Sequence, residues 1–165
     1  KAVEELKNEG MQALMIDVRS DPGGMLTTVV NICDYLLPEG TIVSIKDKTG
    51  KVVDEYKSTD DEYLDMPMVV LTNEYSASAS EIFAGAIKDY GVGTLIGTQT
   101  FGKGIVQSLF PLSDGSAIKI TVSRYYTPAG NNIHGVGITP NIILERDTES
   151  EEDNQLQKAM EVLSE

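Results

Sequence analysis

MQALMIDVRSDPGGMLTTVVNICDYLLPEG, residues 11–40, holds the first unit of the fold. Its opening, MQALMIDV (11–18), is a mostly continuous apolar run of strand length, which predicts a strand covered on both faces. Asp21-Pro22-Gly23-Gly24 then forces a turn. From Met25 to Leu37 the apolar residues Leu26, Val29, Val30, Cys33, Leu36 and Leu37 recur at helical spacing, and Pro38 with Gly40 ends the run. The unit is strand, glycine turn, helix. Upstream, residues 2–9 read as the end of a helix. Downstream, TIVSIKD (41–47) and KVVDEY (51–56) flank Lys48-Thr49-Gly50 as a hairpin, and PMVVLTN (67–73) predicts a second buried strand. Ala79, Ile82, Phe83, Ala86, Ile87 and Tyr90 mark a helix that stops at Gly91. TLIGT (94–98), IVQSLFPL (105–112) and AIKITVSRYY (117–126) follow as strands, the last two joined across Ser113-Asp114-Gly115-Ser116. Thr127-Pro128-Ala129-Gly130 is a further turn, and 154–164 reads as a terminal helix through Leu156, Met160 and Leu163. Two strand-to-helix units followed by consecutive strands predict a mixed α/β domain with helices packed on a sheet.

The chain has 165 residues, room for one core. Its 13 basic and 26 acidic residues give a net charge of −13, which argues against a nucleic-acid partner and against an anionic membrane surface. No apolar run reaches the ~18–20 residues of a membrane span, and the charged start KAVEELKNE is no signal peptide. The charge is unevenly placed. Residues 54–65 and 145–153 hold 12 acids and 2 bases, whereas residues 66–144 hold 4 of each. Both acidic stretches predict solvated loops; neither has the acid ladder with Gly and distal Glu of a calcium loop. The lone cysteine, Cys33, excludes an internal disulfide, and one histidine, His134, leaves too few ligands for Cys- or His-rich metal sites, so neither metal nor cofactor is expected.

Two motifs bear on chemistry. Gly97-Thr-Gln-Thr-Phe-Gly102-Lys103 approaches the phosphate-loop pattern, but Gly104 stands where a hydroxyl must meet Mg²⁺, and the residues after it read as strand rather than helix. Ser76-Ala77-Ser78-Ala79-Ser80-Glu81 lies where the buried strand 67–73 turns into the helix from 79. Ser78 with Glu81 fits a capping box, a purely structural role. The same geometry suits a nucleophile, because small residues open space for a hydroxyl and the free first-turn N–H groups favour negative charge beside it. Such a serine needs a base. His134, in the turn-rich stretch 131–135, is the only imidazole; Lys103, between Phe101 and Ile105 and flanked by glycines, offers an amine in an apolar setting that would favour its neutral form.

Five blocks in order resemble the catalytic domain of the C-terminal processing peptidases, also called tail-specific proteases. They are Asp17-Val-Arg19-Ser-Asp-Pro22-Gly23-Gly24, Asn73 to Glu81, Thr100-Phe-Gly-Lys103-Gly-Ile-Val-Gln107, Pro111-Leu-Ser-Asp-Gly115-Ser, and Arg124 to Pro140. The resemblance spans roughly residues 10–142 and implies a crotonase-like (Clp-protease-like) mixed sheet with packed helices, in a single domain lacking its first strands. It further implies a serine-type endopeptidase that cleaves protein substrates near their C-termini through an acyl-enzyme. Ser78 would be the nucleophile, Lys103 the general base and Gln107 the support of the lysine, with the Ala79 and Gly24 N–H groups as oxyanion hole. An amine held by Gln107 adds a constraint: four residues span ~13 Å in a strand but ~6 Å in a helical turn, so the chain after Gly102 should curl. A solvent-facing strand glutamine is the alternative.

The implied partners are protein or peptide C-termini, in an extracytoplasmic compartment. The family's PDZ domain and secretory signal are not in this chain, and Asp21 stands where asparagine is common, so the expected organisation is a protease fragment. Residues 1–9 would be a helix end, 10–142 the core, 143–153 an acidic loop and 154–165 a terminal helix. Two alternatives remain: a non-catalytic peptide-binding domain that kept the fold, and a hydrolase that uses His134.

Overall fold

A computed structural model describes residues 2–59 and 63–164. Residues 60–62, part of the first acidic stretch, lie outside the described residues. The chain opens with α1 (Ala2–Asn8), then β1 (Leu14–Asp17), the Asp-Pro-Gly-Gly turn and α2 (Leu26–Leu36). Next come β2 (Gly40–Lys46) and β3 (Val52–Ser58), then β4 (Met68–Thr72) leading into α3 (Ala79–Tyr90), which Gly91 closes in the left-handed conformation at φ 67°. β5 (Thr94–Gly97), the hairpin of β6 (Ile105–Pro111) and β7 (Ala117–Tyr126), a short β8 (Ile142–Ile143) and α4 (Asn154–Leu163) complete the order.

The mixed α/β class is as expected, but the strands divide into two sheets rather than one. β1, β4, β5 and β8 form a parallel sheet in the order β1-β4-β5-β8, with Ile16 opposite Val70 and Val70 opposite Leu95. β3, β2, β7 and β6 form an antiparallel sheet in that order. The hairpin connections pair β2 with β3 and β6 with β7 antiparallel, and α3 returns the chain from β4 to its own sheet as parallel β5, whereas α2 delivers the chain from β1 to the second sheet. β8 was invisible because two residues carry no period.

β4 is buried along its whole length and alternates between two cores. Met68 and Val70, with Leu14 and Leu95, face α2 and α3 and join Val29, Cys33, Ile82, Phe83 and Ile87. Val69 and Leu71, with Ile96, face the other way onto Ala159 of α4. The result is three layers with β4 and β5 at the centre; each fully buried Val or Leu there contributes about 1.5–3 kcal/mol. The loop expected at 54–65 begins instead as strand, since Asp54 and Glu55 lie on β3, an edge strand whose exposed charges deter pairing with another chain. The β6–β7 hairpin differs from both cores: Leu109, Phe110, Ile118, Ile120 and Val122 are all exposed.

Candidate active site

The three serines of the 76–80 motif separate by their partners. Ser76 is fully buried; its Oγ donates to Val18 O at 2.7 Å and accepts from Asn73 N–H at 3.0 Å, which ties the end of β4 to the end of β1. Ser80 is also buried, and its Oγ donates to Asp21 Oδ2 at 2.8 Å. Ser78, immediately before α3, is half-buried and has φ 59° and ψ −115°, a region other residues than glycine rarely occupy. Such strain costs about 1–3 kcal/mol and persists only where the surroundings hold it. Here they do: Ser78 N–H donates to Glu81 Oε2 at 2.9 Å within the expected capping box, and Ala77 N–H donates to Asp21 O at 3.0 Å. Two serines are thus committed to scaffolding, and the strained one is presented at a helix N-terminus.

The glycine turn packs directly against this strained residue. A Cβ on Gly23, which has φ +88°, would lie 2.5 Å from Ala77 O and 2.7 Å from Ala79 N, so no side chain fits. Gly23 N–H is taken by Asp21 Oδ1 at 3.1 Å. Among the described residues, the N–H groups of Gly24 and Ala79 donate to no protein acceptor. These are the two amides the sequence resemblance singled out. Beside them opens an apolar cleft of about 220 Å³, lined by Ile16, Gly23, Gly24, Ile32, Ala79 and Phe83 among others.

The opposite side of the site is the loop between β5 and β6. Its glycines are packed: a Cβ on Gly104 would lie 2.5 Å from His134 N, and Gly135 N–H donates to Gly102 O at 2.9 Å. Lys103 itself is exposed. The apolar enclosure expected for its amine is therefore not found, because the flanking glycines bury backbone while the lysine side chain projects outward. No helical turn follows Gly102 either; the chain bends through Gly102 at φ +87° and a bulge between Val106 and Gln107. Gln107 lies exposed on β6 and its Nε2 donates to Thr121 Oγ1 at 3.3 Å across the hairpin. His134 is half-buried, its N–H held by Asn132 Oδ1 at 3.1 Å. Burial pushes the Cys33 thiol up to about 12, which removes it as a nucleophile.

One residue joins the two sides, and its sequence pattern showed only part of its role. Glu81 is 0% exposed. Its Oε2 accepts from Lys103 N–H at 2.7 Å as well as from Ser78 N–H, and its Oε1 accepts from Gly102 N–H and Thr100 Oγ1, both at 2.6 Å. The Ser78 and Lys103 nitrogens thus share one oxygen, so they lie no further apart than those two bonds end to end. That separation is within the reach of a lysine stem. The capping-box spacing flagged Glu81, but its contacts with residues 100–103 are non-local and left no sequence signal.

Residues 1–144 match the family model described as Peptidase family S41. The chain belongs to that family. It is 40% identical over 169 residues to a carboxyl-terminal-processing protease of Synechocystis sp., covering 99% of this chain and 39% of that protein. A chloroplastic C-terminal processing peptidase of Tetradesmus obliquus is 41% identical over 147 residues, covering 88% of this chain and 31% of its own length. Among solved structures, a photosystem II D1 C-terminal processing protease superposes with a TM-score of 0.82 at 41% identity, over 87% of this chain and 37% of that one. The S41 chain described here spans less than half the length of the curated relatives named above.

Proposed function

We propose that this S41 chain is the catalytic part of a serine-type endopeptidase that cleaves protein substrates near their C-termini with a Ser78–Lys103 pair. The observation that carries the reading is the shared carboxylate oxygen between Ser78 N–H and Lys103 N–H, beside two amides with no protein acceptor. Lys103 takes the proton from Ser78 Oγ as that oxygen bonds to the scissile carbonyl carbon. The carbonyl electrons move to oxygen, where the Gly24 and Ala79 N–H groups receive the negative charge. When the C–N bond breaks, the leaving amine takes the proton from Lys103. Water then adds to the Ser78 ester with Lys103 again as base, releasing the carboxylic acid and restoring the hydroxyl. Gln107 orients the lysine amine once substrate is bound.

The apolar cleft beside Gly24 and Ala79 suits an apolar side chain adjoining the scissile carbonyl. No described helix is long and apolar enough to cross a membrane. An extracytoplasmic location is proposed from the resemblance to the processing proteases. Acylation of Ser78 by a fluorophosphonate tests the reading, together with peptide hydrolysis by full-length Ser78→Ala and Lys103→Ala. Loss of both activities in both variants is expected; unchanged hydrolysis would overturn the Ser78–Lys103 assignment, and absence of hydrolysis and acylation in the unsubstituted full-length protein would make the fold a peptide-binding domain instead. His134→Ala retains activity if Lys103 is the base.

A further inference from the structure

Among the described residues, Glu81 is the only one whose side chain binds both the nucleophile turn and the base loop. All four of its partners donate to it: Ser78 N–H at 2.9 Å, Lys103 N–H at 2.7 Å, and Gly102 N–H and Thr100 Oγ1 at 2.6 Å each. Two donors per oxygen fill the acceptor sites of a carboxylate, and an amide cannot replace it, because its NH₂ would face N–H donors. The network extends one step further, since Thr100 Oγ1 accepts from Ile138 N–H at 2.7 Å. The segment behind Lys103 is thereby tied to the same anchor. A helix cap needs only the Ser78 contact; the other three serve no helix.

Resting on the Ser78–Lys103 reading, we infer that Glu81 is a positioning residue of the reaction: its buried carboxylate fixes the backbone of the base loop relative to the nucleophile turn, so that the Lys103 amine meets the Ser78 hydroxyl. Because Lys103 is exposed, no packing around its side chain performs this task. The position of the loop backbone therefore decides where the amine can reach.

The test compares Glu81→Gln, Glu81→Asp and Thr100→Val in the full-length protein, with Ser78→Ala alongside, on an internally quenched peptide with an apolar C-terminal tail. Rates are normalised to the folded fraction from circular dichroism. Glu81→Gln is expected to lower kcat on the order of 100-fold, the scale of a 1 Å misplacement, while KM stays within about threefold. Glu81→Asp, which keeps both acceptor oxygens, recovers part of kcat. A merely structural role would lower the folded fraction and leave the normalised kcat unmoved. Folded Glu81→Gln with wild-type kcat overturns the inference. If that variant does not fold, the same result in Glu81→Asp and Thr100→Val does so. Hydrolysis retained by Ser78→Ala overturns the Ser78–Lys103 reading itself, whatever Glu81 does.

Discussion

The nucleophile side and the base side of this site are built on opposite plans. Ser78 sits between β4, buried from end to end, and α3, whose residues from Ala79 to Ile87 are all buried. Lys103 sits on an irregular loop that runs into a hairpin whose outer apolar side chains, from Leu109 and Phe110 to Ile118, Ile120 and Val122, face solvent. A strained serine can be held only by the first plan, because packing and hydrogen bonds around it must outweigh the cost of its backbone. A base on a long flexible stem tolerates the second, provided its loop is anchored. The anchor comes from the rigid side, through Glu81.

The sharpest way to test that contrast is a pair of glycine substitutions. Gly23→Ala drives a Cβ into Ala77 O and Ala79 N and should displace the oxyanion donors, lowering kcat by about 10²–10³. Gly115→Ala in the β6–β7 turn also has a positive φ of +85°, but nothing lies within 4 Å of its added Cβ. Its cost should be confined to about 1–2 kcal/mol of backbone strain, read as a lower unfolding midpoint with unaltered turnover. Equal loss of activity in the two variants would show that the hairpin is as tightly coupled to the reaction as the core. Hydrogen exchange gives the next contrast: amides of β4 should be protected about 100-fold or more beyond those in the outer half of β6–β7, since the latter open without exposing a core.

Much of this division was legible in the sequence. The apolar run at 68–71 within the strand predicted over 67–73 announced β4, and the helical spacing from Ala79 to Tyr90 with Gly91 behind it announced α3, because burial on both faces and helix stops leave local marks. The candidates Ser78 and Lys103 came from motif chemistry, and Gln107 with the Gly24 and Ala79 amides from resemblance, none of them from period. What stayed hidden was non-local. The left-handed φ of Ser78 depends on Glu81 and on the Asp21 turn 57 positions upstream, and the exposure of Lys103 depends on where Gly102 and Gly104 find backbone to pack on. The apolar neighbours of Lys103 in sequence were misleading for that reason: flanking glycines bring the backbone inward and turn the side chain out.

Asp21 offers a smaller effect within the rigid side. Its Oδ1 accepts from Gly23 N–H and its Oδ2 from Ser80 Oγ, so it joins the glycine turn to the first turn of α3. Asn at this position keeps the Gly23 contact and can donate to the Ser80 hydroxyl, whereas Ala loses both. Asp21→Ala should lower kcat/KM roughly tenfold, the scale of a charged hydrogen bond lost, and Asp21→Asn by less. Reversal of that order would mean that the charge of Asp21, rather than its two contacts, shapes the turn.

The weakest effect is expected furthest from the chemistry, where α4 covers the outer face of the parallel sheet. Asp153 caps α4 by accepting from Gln155 N–H at 3.1 Å and Leu156 N–H at 3.0 Å, and it pairs with Arg19 at 2.9 Å. Partial burial works against its charge, but the Leu156 amide and the Arg19 guanidinium outweigh it, and the carboxyl is held below the ordinary aspartate range. A folded-state value below the unfolded one stabilises the fold above the unfolded value, and that contribution fades as pH falls through the folded one. Protection of α4 amides, taken relative to their intrinsic exchange rates, should therefore fall below about pH 4 before that of β4 amides does. Asp153→Ala, which removes both the cap and the charge, should reproduce this at neutral pH with a cap loss of about 1 kcal/mol and little change in turnover. If α4 and β4 lose protection together, the outer helix is part of the same cooperative unit as the strand beneath Ser78, and the rigid side of the site extends through all three layers.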